Sequence, residues 1–497
     1  MVSIKGIGGT DEDQMGVSPI VNTSDGGHII SLYSGSMIGS GNIDSICSMN
    51  GFRTIFQKRD INDNVLWNKY YSEMGDSGLQ YIYPLNSGDY ILGGLFRTTV
   101  GFGFIITKQD AFGNTIWSRN YSKGNGPILR SMTATNDGGY IMFGIANNID
   151  TNVTTHVGGV LSEDLWVLKL DSNGYKVWSK VYGGTQNEEA VSVIPAPRGG
   201  SYIYGYTFSN DYDCTGNHGG VDGYLARLDS NGNMMWHHCL GGTGNEAYGA
   251  MVSNRKNGVL IANAASSPDG EVHHYHGGDD FWVLEADSNG TILWDNCYGG
   301  TGIEDPNSIC KAKDGTIWIA GSSSRKNGDV YANNGNIDAW VVHTDSAGNL
   351  LNSRVIGSSA EDKAQVIYPL LNNNVIVGGY YSAAGTSGEQ LPSIFYGYMD
   401  IFLAELSPEP EAVYEIPFAD AVALFPNPVS DILNIKLVHP SKLEVCVIDL
   451  LGRQWYHASP LNNQKVQIAV KDWPRGLYVV KIESEDGYQV EKKVVIQ

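Results

Sequence analysis

The stretch Asp229-Ser-Asn-Gly-Asn-Met-Met-Trp236 occurs in six related forms along the chain. Each copy is an Asp followed by a turn that contains Gly or Asn, and five of the six copies end in Trp. The copies begin at Asp60, Asp110, Asp171, Asp229, Asp287 and Asp345, so consecutive copies are 50, 61, 58, 58 and 58 residues apart. This period accommodates four short strands and is too long for a leucine-rich or tetratricopeptide repeat. The repeat therefore predicts the blades of a β-propeller.

A seventh unit is divided between the two ends of the repeat region. Residues 353–406 supply its first part, which ends without a Trp strand. The missing piece matches the start of the chain, where Val2-Ser-Ile-Lys-Gly-Ile-Gly-Gly-Thr10 is similar to Lys180-Val-Tyr-Gly-Gly-Thr185. We therefore predict that residues 1–406 form a seven-bladed β-propeller closed by the N-terminal strand, because closure removes exposed sheet edges. Residues 2–6 should then pair with residues 401–406.

Alternating apolar residues and turn residues predict four strands in each unit. In the fourth unit these strands are 190–194, 201–205, 223–228 and 233–239. The tight turns lie at one end of the strands, and the loops between strands two and three lie at the other end, which we call the long-loop face. These loops vary most in length: 34–51, 95–101, 146–164, 207–222, 265–280, 322–338 and 381–400. Variable loops on a constant scaffold favour a recognition surface, so a surface glycan or protein ligand is expected here.

The composition indicates a secreted, acidic, structured protein. Lys and Arg number 32 against 53 Asp and Glu, a formal net charge of −21, which argues against nucleic acid and anionic lipid as partners. No apolar run approaches the roughly 18 residues that a membrane span needs, so we expect no direct membrane span. Because Met1-Val2 leads directly into a predicted strand, we interpret the start as mature or engineered, with the signal peptide absent from this chain.

The six cysteines suggest neither a metal centre nor a redox motif, since no pair has the CxxC spacing. Cys297 and Cys310 flank one strand-to-strand passage and are the candidate disulfide pair, but a disulfide needs closely spaced Cα atoms, and the sequence favours the absence of this bond. Cys446 belongs to a separate C-terminal domain, where we expect it to be buried.

One acidic position recurs with the full period, at Asp13, Glu188, Glu246, Glu304 and Asp362. Each residue precedes the innermost predicted strand at the long-loop face, so the five carboxylates are a candidate calcium site at the mouth of a central channel. The alternative is that each carboxylate accepts hydrogen bonds from the backbone of its own Gly-Gly turn. The sequence leaves both interpretations open and favours the second.

Two loops contain further candidate ligands. Asp211, Asp213 and Asp222 alternate as in a calcium loop, but the Glu that completes an EF-hand is missing. His274 and His276 are candidate zinc ligands, although neighbouring side chains on an extended segment point apart and a solvated loop is the alternative. There is no G-x-S-x-G, HExxH or Walker sequence, so we assign no catalytic residue and no cofactor other than the candidate calcium.

A second domain follows an acidic, Pro-containing linker at residues 407–420. Residues 421–497 contain short alternating strands at 433–437, 443–448, 466–470, 477–482 and 489–496. This pattern predicts a small Ig-like β-sandwich. A small autonomous domain at a chain terminus is suited to recognition by a separate protein assembly.

Four motifs lie in order within this domain. They are Phe425-Pro-Asn-Pro-Val-Ser-Asp431, Ile448-Asp-Leu-Leu-Gly-Arg453, Trp473-Pro-Arg-Gly-Leu-Tyr478 and Lys492-Lys-Val-Val-Ile496. With them the segment resembles the type A C-terminal sorting domain of type IX secretion cargo in Bacteroidota. The family has Leu where this chain has Trp473, an exchange of large apolar residues that should be tolerated. The propeller units likewise resemble repeats common in Bacteroidota surface proteins.

The resemblance implies Sec export, recognition by the type IX translocon and its outer-membrane shuttle protein, and a cell-surface or extracellular location. Removal of the domain and attachment of the cargo to lipopolysaccharide often follow in the family. The residues that match the family motifs are Pro426, Asn427, Pro428, Asp431, Gly452, Arg453, Gly476, Tyr478, Lys492 and Lys493.

Together these features predict an exported propeller that acts as a non-catalytic binding, adhesive or structural module. The alternative is an extracellular carbohydrate-active enzyme, a glycoside hydrolase or polysaccharide lyase, that uses the same long-loop face. Propellers gather residues from distant blades, so a catalytic site need not produce a local motif.

Overall fold

The structure is a computed structural model, and it is all-β. It describes residues 3–7, 13–23, 25–34, 53–60, 64–72, 79–85, 87–98, 101–121, 127–146, 157, 162–197, 199–254, 256–370, 372–382, 399–408, 422–437, 443–450, 452–461, 465–484 and 489–497. Within these residues the single helical segment is a short 3₁₀ turn at Tyr212–Cys214. No helix in the described ranges is long and apolar enough to cross a bilayer. The chain divides into two compact units, Met1–Pro408 and Glu409–Gln497.

The first unit contains 28 described strands. In chain order they are β1 (Ser3–Ile7), β2 (Asp13–Asn22), β3 (His28–Ser34), β4 (Arg53–Arg59), β5 (Val65–Ser72), β6 (Leu79–Pro84), β7 (Tyr90–Thr98), β8 (Gly101–Gln109), β9 (Thr115–Asn120), β10 (Ile128–Ala134), β11 (Tyr140–Ala146), β12 (Asp164–Leu170), β13 (Lys176–Tyr182) and β14 (Glu188–Pro195). They continue with β15 (Ser201–Thr207), β16 (Asp222–Leu228), β17 (Met234–Leu240), β18 (Glu246–Ser253), β19 (Val259–Ala265), β20 (Asp280–Ala286), β21 (Ile292–Tyr298), β22 (Glu304–Lys311), β23 (Ile317–Ser323), β24 (Asp338–Thr344), β25 (Leu350–Ile356), β26 (Asp362–Pro369), β27 (Val375–Ser382) and β28 (Met399–Leu406).

In the described ranges these strands form seven four-stranded antiparallel sheets. Sheets one to six each contain four consecutive strands, from β2–β5 to β22–β25. Sheet seven has the order β1-β28-β27-β26, so its outer strand comes from the start of the chain. Ser3 lies opposite Glu405 and Ile7 opposite Ile401, which is the pairing that the sequence predicts for the two ends of the repeat region.

The core of the first unit lies between successive sheets. The first strand of each sheet contacts the first strand of the next, and β26 of sheet seven contacts β2 of sheet one. A separate apolar cluster joins each pair of neighbouring sheets, including the pair formed by sheets seven and one. In sheets three and five, strands two and three are accordingly buried along their whole length, since both of their faces are covered.

The repeated Trp packs beneath the hairpin of the following sheet. The ring of Trp294 lies against Gly348, where an added Cβ would approach the ring to 2.6 Å. Trp178 lies in the same way against Gly232 and donates a 3.1 Å hydrogen bond to the carbonyl of Ser230. Both glycines also adopt a positive φ, of 82° and 75°, so the hairpin requires glycine for two independent reasons.

The second unit consists of two sheets around one core. Its strands are β29 (Val422–Phe425), β30 (Ile432–Leu437), β31 (Leu443–Asp449), β32 (Gln454–Leu461), β33 (Lys465–Ala469), β34 (Gly476–Ser484) and β35 (Gln489–Ile496). The sheets have the orders β29-β30-β33 and β32-β31-β34-β35, and buried side chains of both form a single cluster. The sequence pattern predicts five of these strands, and β29 and β32 are additional.

The cysteines differ from two of the sequence interpretations. Cys297 and Cys310, the candidate disulfide pair, are both buried and form no bond to each other. They cannot meet, because Cys297 packs between sheets four and five and Cys310 between sheets six and seven. Cys446 is half-buried, since it alternates along β31 with Val445 and Val447, which fill the core.

Candidate functional site

The four motifs of the second unit meet in two pairs. The first motif packs on the terminal strand, where Asn427 donates a 3.0 Å hydrogen bond to the carbonyl of Lys493 and accepts one of 2.9 Å from the amide of Val495. Pro426, Pro428 and Asp431 are exposed around this contact. Lys492 is half-buried and Lys493 exposed on β35. The first and last motifs therefore form one structural feature.

The second and third motifs meet around an aromatic cluster. Gly452 has a φ of 80° in the hairpin, and the guanidinium of Arg453 lies 4.5 Å from the ring centroid of Trp455. The ring centroids of Trp473 and Trp455 lie 5.6 Å apart, and both rings are partly buried. This aromatic packing accommodates Trp473 at the position where the family has Leu.

The third motif also starts the β34 strand. The hydroxyl of Tyr478 donates a 2.8 Å hydrogen bond to the carbonyl of Pro474, which closes the turn before the strand. Gly476 begins β34 and has open space where a Cβ would stand, so nothing in the structure explains a glycine at this position.

In the first unit, the recurring acidic residues begin the first strand of their sheets and are fully buried at Glu188, Glu246, Glu304 and Asp362. One carboxylate oxygen of each accepts a hydrogen bond from the turn that precedes it. Glu188, for example, accepts a 3.0 Å hydrogen bond from the amide of Gly184. This is the geometry of the turn-capping interpretation. Asp13 begins β2, but its side chain lies outside the described part of the chain.

A second buried acidic residue accompanies each of the first set. It precedes its partner by 24 residues and begins the third strand of the preceding sheet, at Asp164, Asp222, Asp280 and Asp338. All four are fully buried. Of these four, only Asp222 is a candidate from the sequence, although the constant spacing is a signal that reveals the whole set.

The pair formed by Asp280 and Glu304 illustrates the arrangement. An added Cβ on Gly299 would lie 2.3 Å from Asp280 Oδ1 and 2.8 Å from Glu304 Oε2, so both carboxylates reach the same point of the turn. The Oδ2 atom of Asp280 accepts a 2.6 Å hydrogen bond from the amide of His276, whereas its Oδ1 atom has no hydrogen-bond partner. Burial raises the pKa of Glu304 to about 7 against the lowering effect of its hydrogen bonds from Gly300 and Ser323, and the charge of Asp280 raises it further.

The loop carboxylates of sheet four have separate partners. Asp211 accepts hydrogen bonds of 2.8 Å from both the amide and the hydroxyl of Thr185, which fastens the loop to the turn. Burial raises the pKa of Asp213, and Asp222 contacts His218 at 2.7 Å. Among the described residues, no group of three or more His, Cys, Asp or Glu side chains is placed to hold a metal ion.

The histidines of sheet five diverge. His273 Nδ1 lies 2.9 Å from Asp295 Oδ1, while His276 Nδ1 lies 3.1 Å from Asp280 Oδ2. His274 is exposed and adopts a φ of 62°. His274 and His276 therefore do not share a ligand position, as expected for neighbouring side chains.

A cavity of about 550 Å³ lies under this loop, between the outer strands of sheets four and five. Its lining includes His238, Leu240, Glu271, His273, Leu293 and Asp295. Asp295 also accepts hydrogen bonds of 3.0 Å from the amide of His273 and the indole of Trp282, so the loop is held against β21. The sequence analysis named only the histidine segment of this cavity.

Large apolar side chains are exposed to solvent on the long-loop face. Five of them are between 40% and 66% exposed, in the loops and first strands of sheets four to six: Phe208, Tyr212, Tyr248, Ile303 and Tyr331. Apolar side chains are also exposed on the hairpins and outer strands, such as Phe112 and Tyr175, but those at the long-loop end lie beside loops of variable length, where a recognition surface is expected. Phe208, Tyr212 and Tyr331 lie within these loops, which carry no repeat signal by which sequence reasoning could find them.

The repeated four-stranded sheets and their interfaces define the first unit as a propeller-like all-β domain. Residues 423–497 match the family model for the secretion system C-terminal sorting domain. The C-terminal unit is thus a type IX secretion sorting signal, as the sequence predicts. It implies interaction with the type IX machinery, translocation across the outer membrane, and a surface or extracellular location.

Several solved structures are similar to this chain at low identity. The extracellular domain of a proposed one-component system from B. thetaiotaomicron is 11% identical, with a TM-score of 0.29, over 97% of this chain and 69% of that one. A protein of unknown function from Dyadobacter fermentans is 10% identical, with a TM-score of 0.38, over 82% and 98%. The Pan2 WD40 domain of Neurospora crassa is 13% identical, with a TM-score of 0.35, over 65% and 87%. No curated protein matches the chain.

Proposed function

We propose that this protein is type IX cargo whose first unit is a seven-bladed, closed propeller that binds a surface glycan or protein ligand on its long-loop face without catalysis. Residues 1–406 are the propeller, residues 407–420 the linker and residues 421–497 the sorting domain. The observation that carries the binding role is the group of exposed aromatic and aliphatic side chains at the long-loop end of sheets four to six.

Closure of the ring is supported by two features. The β1 strand completes the sheet that β26 to β28 begin, which leaves no outer strand missing. The cyclic series of strand contacts and apolar clusters, which returns from sheet seven to sheet one, is what a ring of seven blades requires.

The binding role is supported by the construction of the described loops. The loops of sheets four and five are each fastened to the turn below them, through Asp211 to Thr185 and through Asp269 to Thr243. Side chains on such loops are held in place before a ligand arrives, which lowers the entropic cost of binding. Fixed loops that carry exposed Tyr212 therefore suit recognition rather than mere connection.

The export function is tested by separating the two units in the native host. A chain that ends at Pro417 should accumulate in the periplasm, whereas residues 408–497 placed behind a Sec signal and a fluorescent reporter should reach the cell surface. Fractionation and protease shaving of intact cells measure both. Surface exposure of the truncated propeller, together with retention of the reporter, would contradict the assignment.

The binding role is tested with the secreted full-length chain. Binding on a glycan array or to host surface proteins, without release of reducing ends from the bound glycans, is the expected result. Release of reducing ends would instead identify a carbohydrate-active enzyme.

A further inference from the structure

Three aromatic side chains meet on the long-loop face of sheets four and five. The ring centroid of Tyr206 lies 6.4 Å from that of Phe208 and 6.1 Å from that of Tyr248. The rings are inclined to each other by 63° and 59°, so their faces point in different directions. Tyr206 is half-buried, and Phe208 and Tyr248 are largely exposed.

The backbone presents Tyr248 to solvent. The pairing of β18 with β19 is interrupted between Ala247 and Ala250, and the two residues in between form a bulge. Tyr248 has a φ of 70° there, a conformation that is strained for a bulky side chain, and Gly249 follows with 95°. Strain of this kind persists where the surrounding structure enforces it, and bulges redirect side chains beside binding sites.

Charged groups surround the rings. Glu189 is the cross-strand partner of Tyr206, and its Oε2 atom lies 3.7 Å from Arg130 Nη2. Glu163 lies beside Glu189, since its carbonyl accepts a 2.6 Å hydrogen bond from the amide of Glu188. The site thus contains two acidic residues and one guanidinium, so acidic groups outnumber basic groups there.

We propose that this aromatic patch, formed by Tyr206, Phe208, Tyr248 and Glu189, binds an organic cation, namely the alkylammonium or guanidinium group of a basic protein segment. The inference rests on the proposed binding function and specifies its ligand. Aromatic faces attract cations through their quadrupole, and the carboxylates complement the same charge. A neutral glycan would use the rings but would gain nothing from the excess of negative charge.

The experiment measures binding of an unstructured lysine-rich peptide to the full-length chain, beside the same peptide with every lysine acetylated. Tyr248→Ala should raise the Kd about tenfold, because it removes the most exposed ring, and Tyr248→Phe should leave it nearly unchanged. Glu189→Gln should weaken binding in low salt and much less in high salt. Tyr175→Ala, an exposed tyrosine at the hairpin end, and Asp345→Asn, a carboxylate at the hairpin end, are the matched controls.

Equal binding of the acetylated peptide, or a Kd that Tyr248→Ala and Glu189→Gln leave unchanged, overturns the inference. So does a neutral oligosaccharide whose binding depends on Tyr248 while the basic peptide fails to bind. In that case the proposed binding function stands and only its ligand class is wrong. If neither probe binds and no glycan or protein ligand is found, the binding function itself fails. The Tyr248→Phe variant guards against a loss of binding that reflects misfolding alone.

Discussion

At the residue scale, the unusual feature is the repeated pair of buried carboxyl groups between neighbouring sheets. The Oδ1 atoms of Asp222, Asp280 and Asp338 have no hydrogen-bond partner, although buried polar atoms are ordinarily satisfied. Among the described residues, no lysine or arginine forms an ion pair with them or with their partners Glu246, Glu304 and Asp362. Two such groups cannot both ionise cheaply in a buried site, so the folded protein favours protonation of one of them.

This arrangement predicts a stability that falls as the pH rises above about 5. Burial raises the pKa of Asp280 and Asp338 to about 6 and that of Glu304 to about 7. These groups keep protons that the unfolded chain has released, so their contribution is complete below about pH 4 and is lost as the pH approaches about 7. Burial lowers the pKa of His343 to about 4, so this one histidine contributes a change of stability with pH in the opposite direction.

Thermal unfolding of the full-length chain between about pH 5 and about pH 8 measures this slope. Asp280→Asn supplies a neutral side chain of the same shape and should flatten the slope. Asp345→Asn, at an exposed hairpin, should leave it as in the wild type. A midpoint that rises throughout this range would show that the buried pairs are fully ionised in the folded state.

At the element scale, the hairpin and the Trp strand form a joint between sheets. The Asp that opens each hairpin accepts hydrogen bonds from the turn. Asp345, for example, accepts a 2.9 Å hydrogen bond from the amide of Asn349. The Trp of the preceding sheet lies beneath that hairpin, in contact with its glycine. One short stretch of sequence therefore encodes both the turn and the surface on which the neighbouring sheet packs.

Trp294→Ala should lower the free energy of unfolding of the first unit by about 3 kcal/mol, because it removes a large packed side chain. The change also removes a 2.8 Å hydrogen bond from the indole to the buried Glu285, which would be left without that donor. Hydrogen exchange of the amides in β18 to β25 measures the effect. Trp473→Ala, in the other unit, should leave these amides unchanged. Protection that Trp294→Ala does not alter would mean that the ring contributes little to the joint.

At the scale of the whole molecule, the first unit depends on pairing between residues nearly 400 positions apart. The β1 strand covers the edge of β28, and its Ile4 packs on the cluster between sheets six and seven. An uncovered strand edge invites pairing with a second chain. The pairing of β1 with β28 thus keeps an apolar, largely buried strand from becoming the outer edge of sheet seven.

Removal of residues 1–7 should lower the unfolding midpoint and cause concentration-dependent association, because β28 becomes an open edge. Light scattering and thermal unfolding of the shortened chain measure both effects. Lys5→Ala, which changes one side chain of β1 and preserves its backbone pairing, is the control. A monomeric chain with an unchanged midpoint would contradict the proposed role of β1 in closure.

The sequence by itself determined the features that repeat or that match a motif. The period of the Asp and Trp positions predicted four-stranded units, and the two partial units at residues 2–10 and 353–406 predicted the pairing of β1 with β28. Four motifs were sufficient to identify the sorting domain, which residues 423–497 match. Repeats and motifs are local patterns, so they can be read without knowledge of the tertiary structure.

Only the tertiary structure decided what depends on the contact between sheets. It separated Cys297 from Cys310, since each thiol belongs to a different interface. It brought Asp280 to Glu304 at a single glycine, and it placed Tyr206 and Tyr248, from neighbouring sheets, in one patch. Side chains from different sheets share no sequence spacing that reveals their distance, because the twist of each sheet and the length of each loop set their final separation.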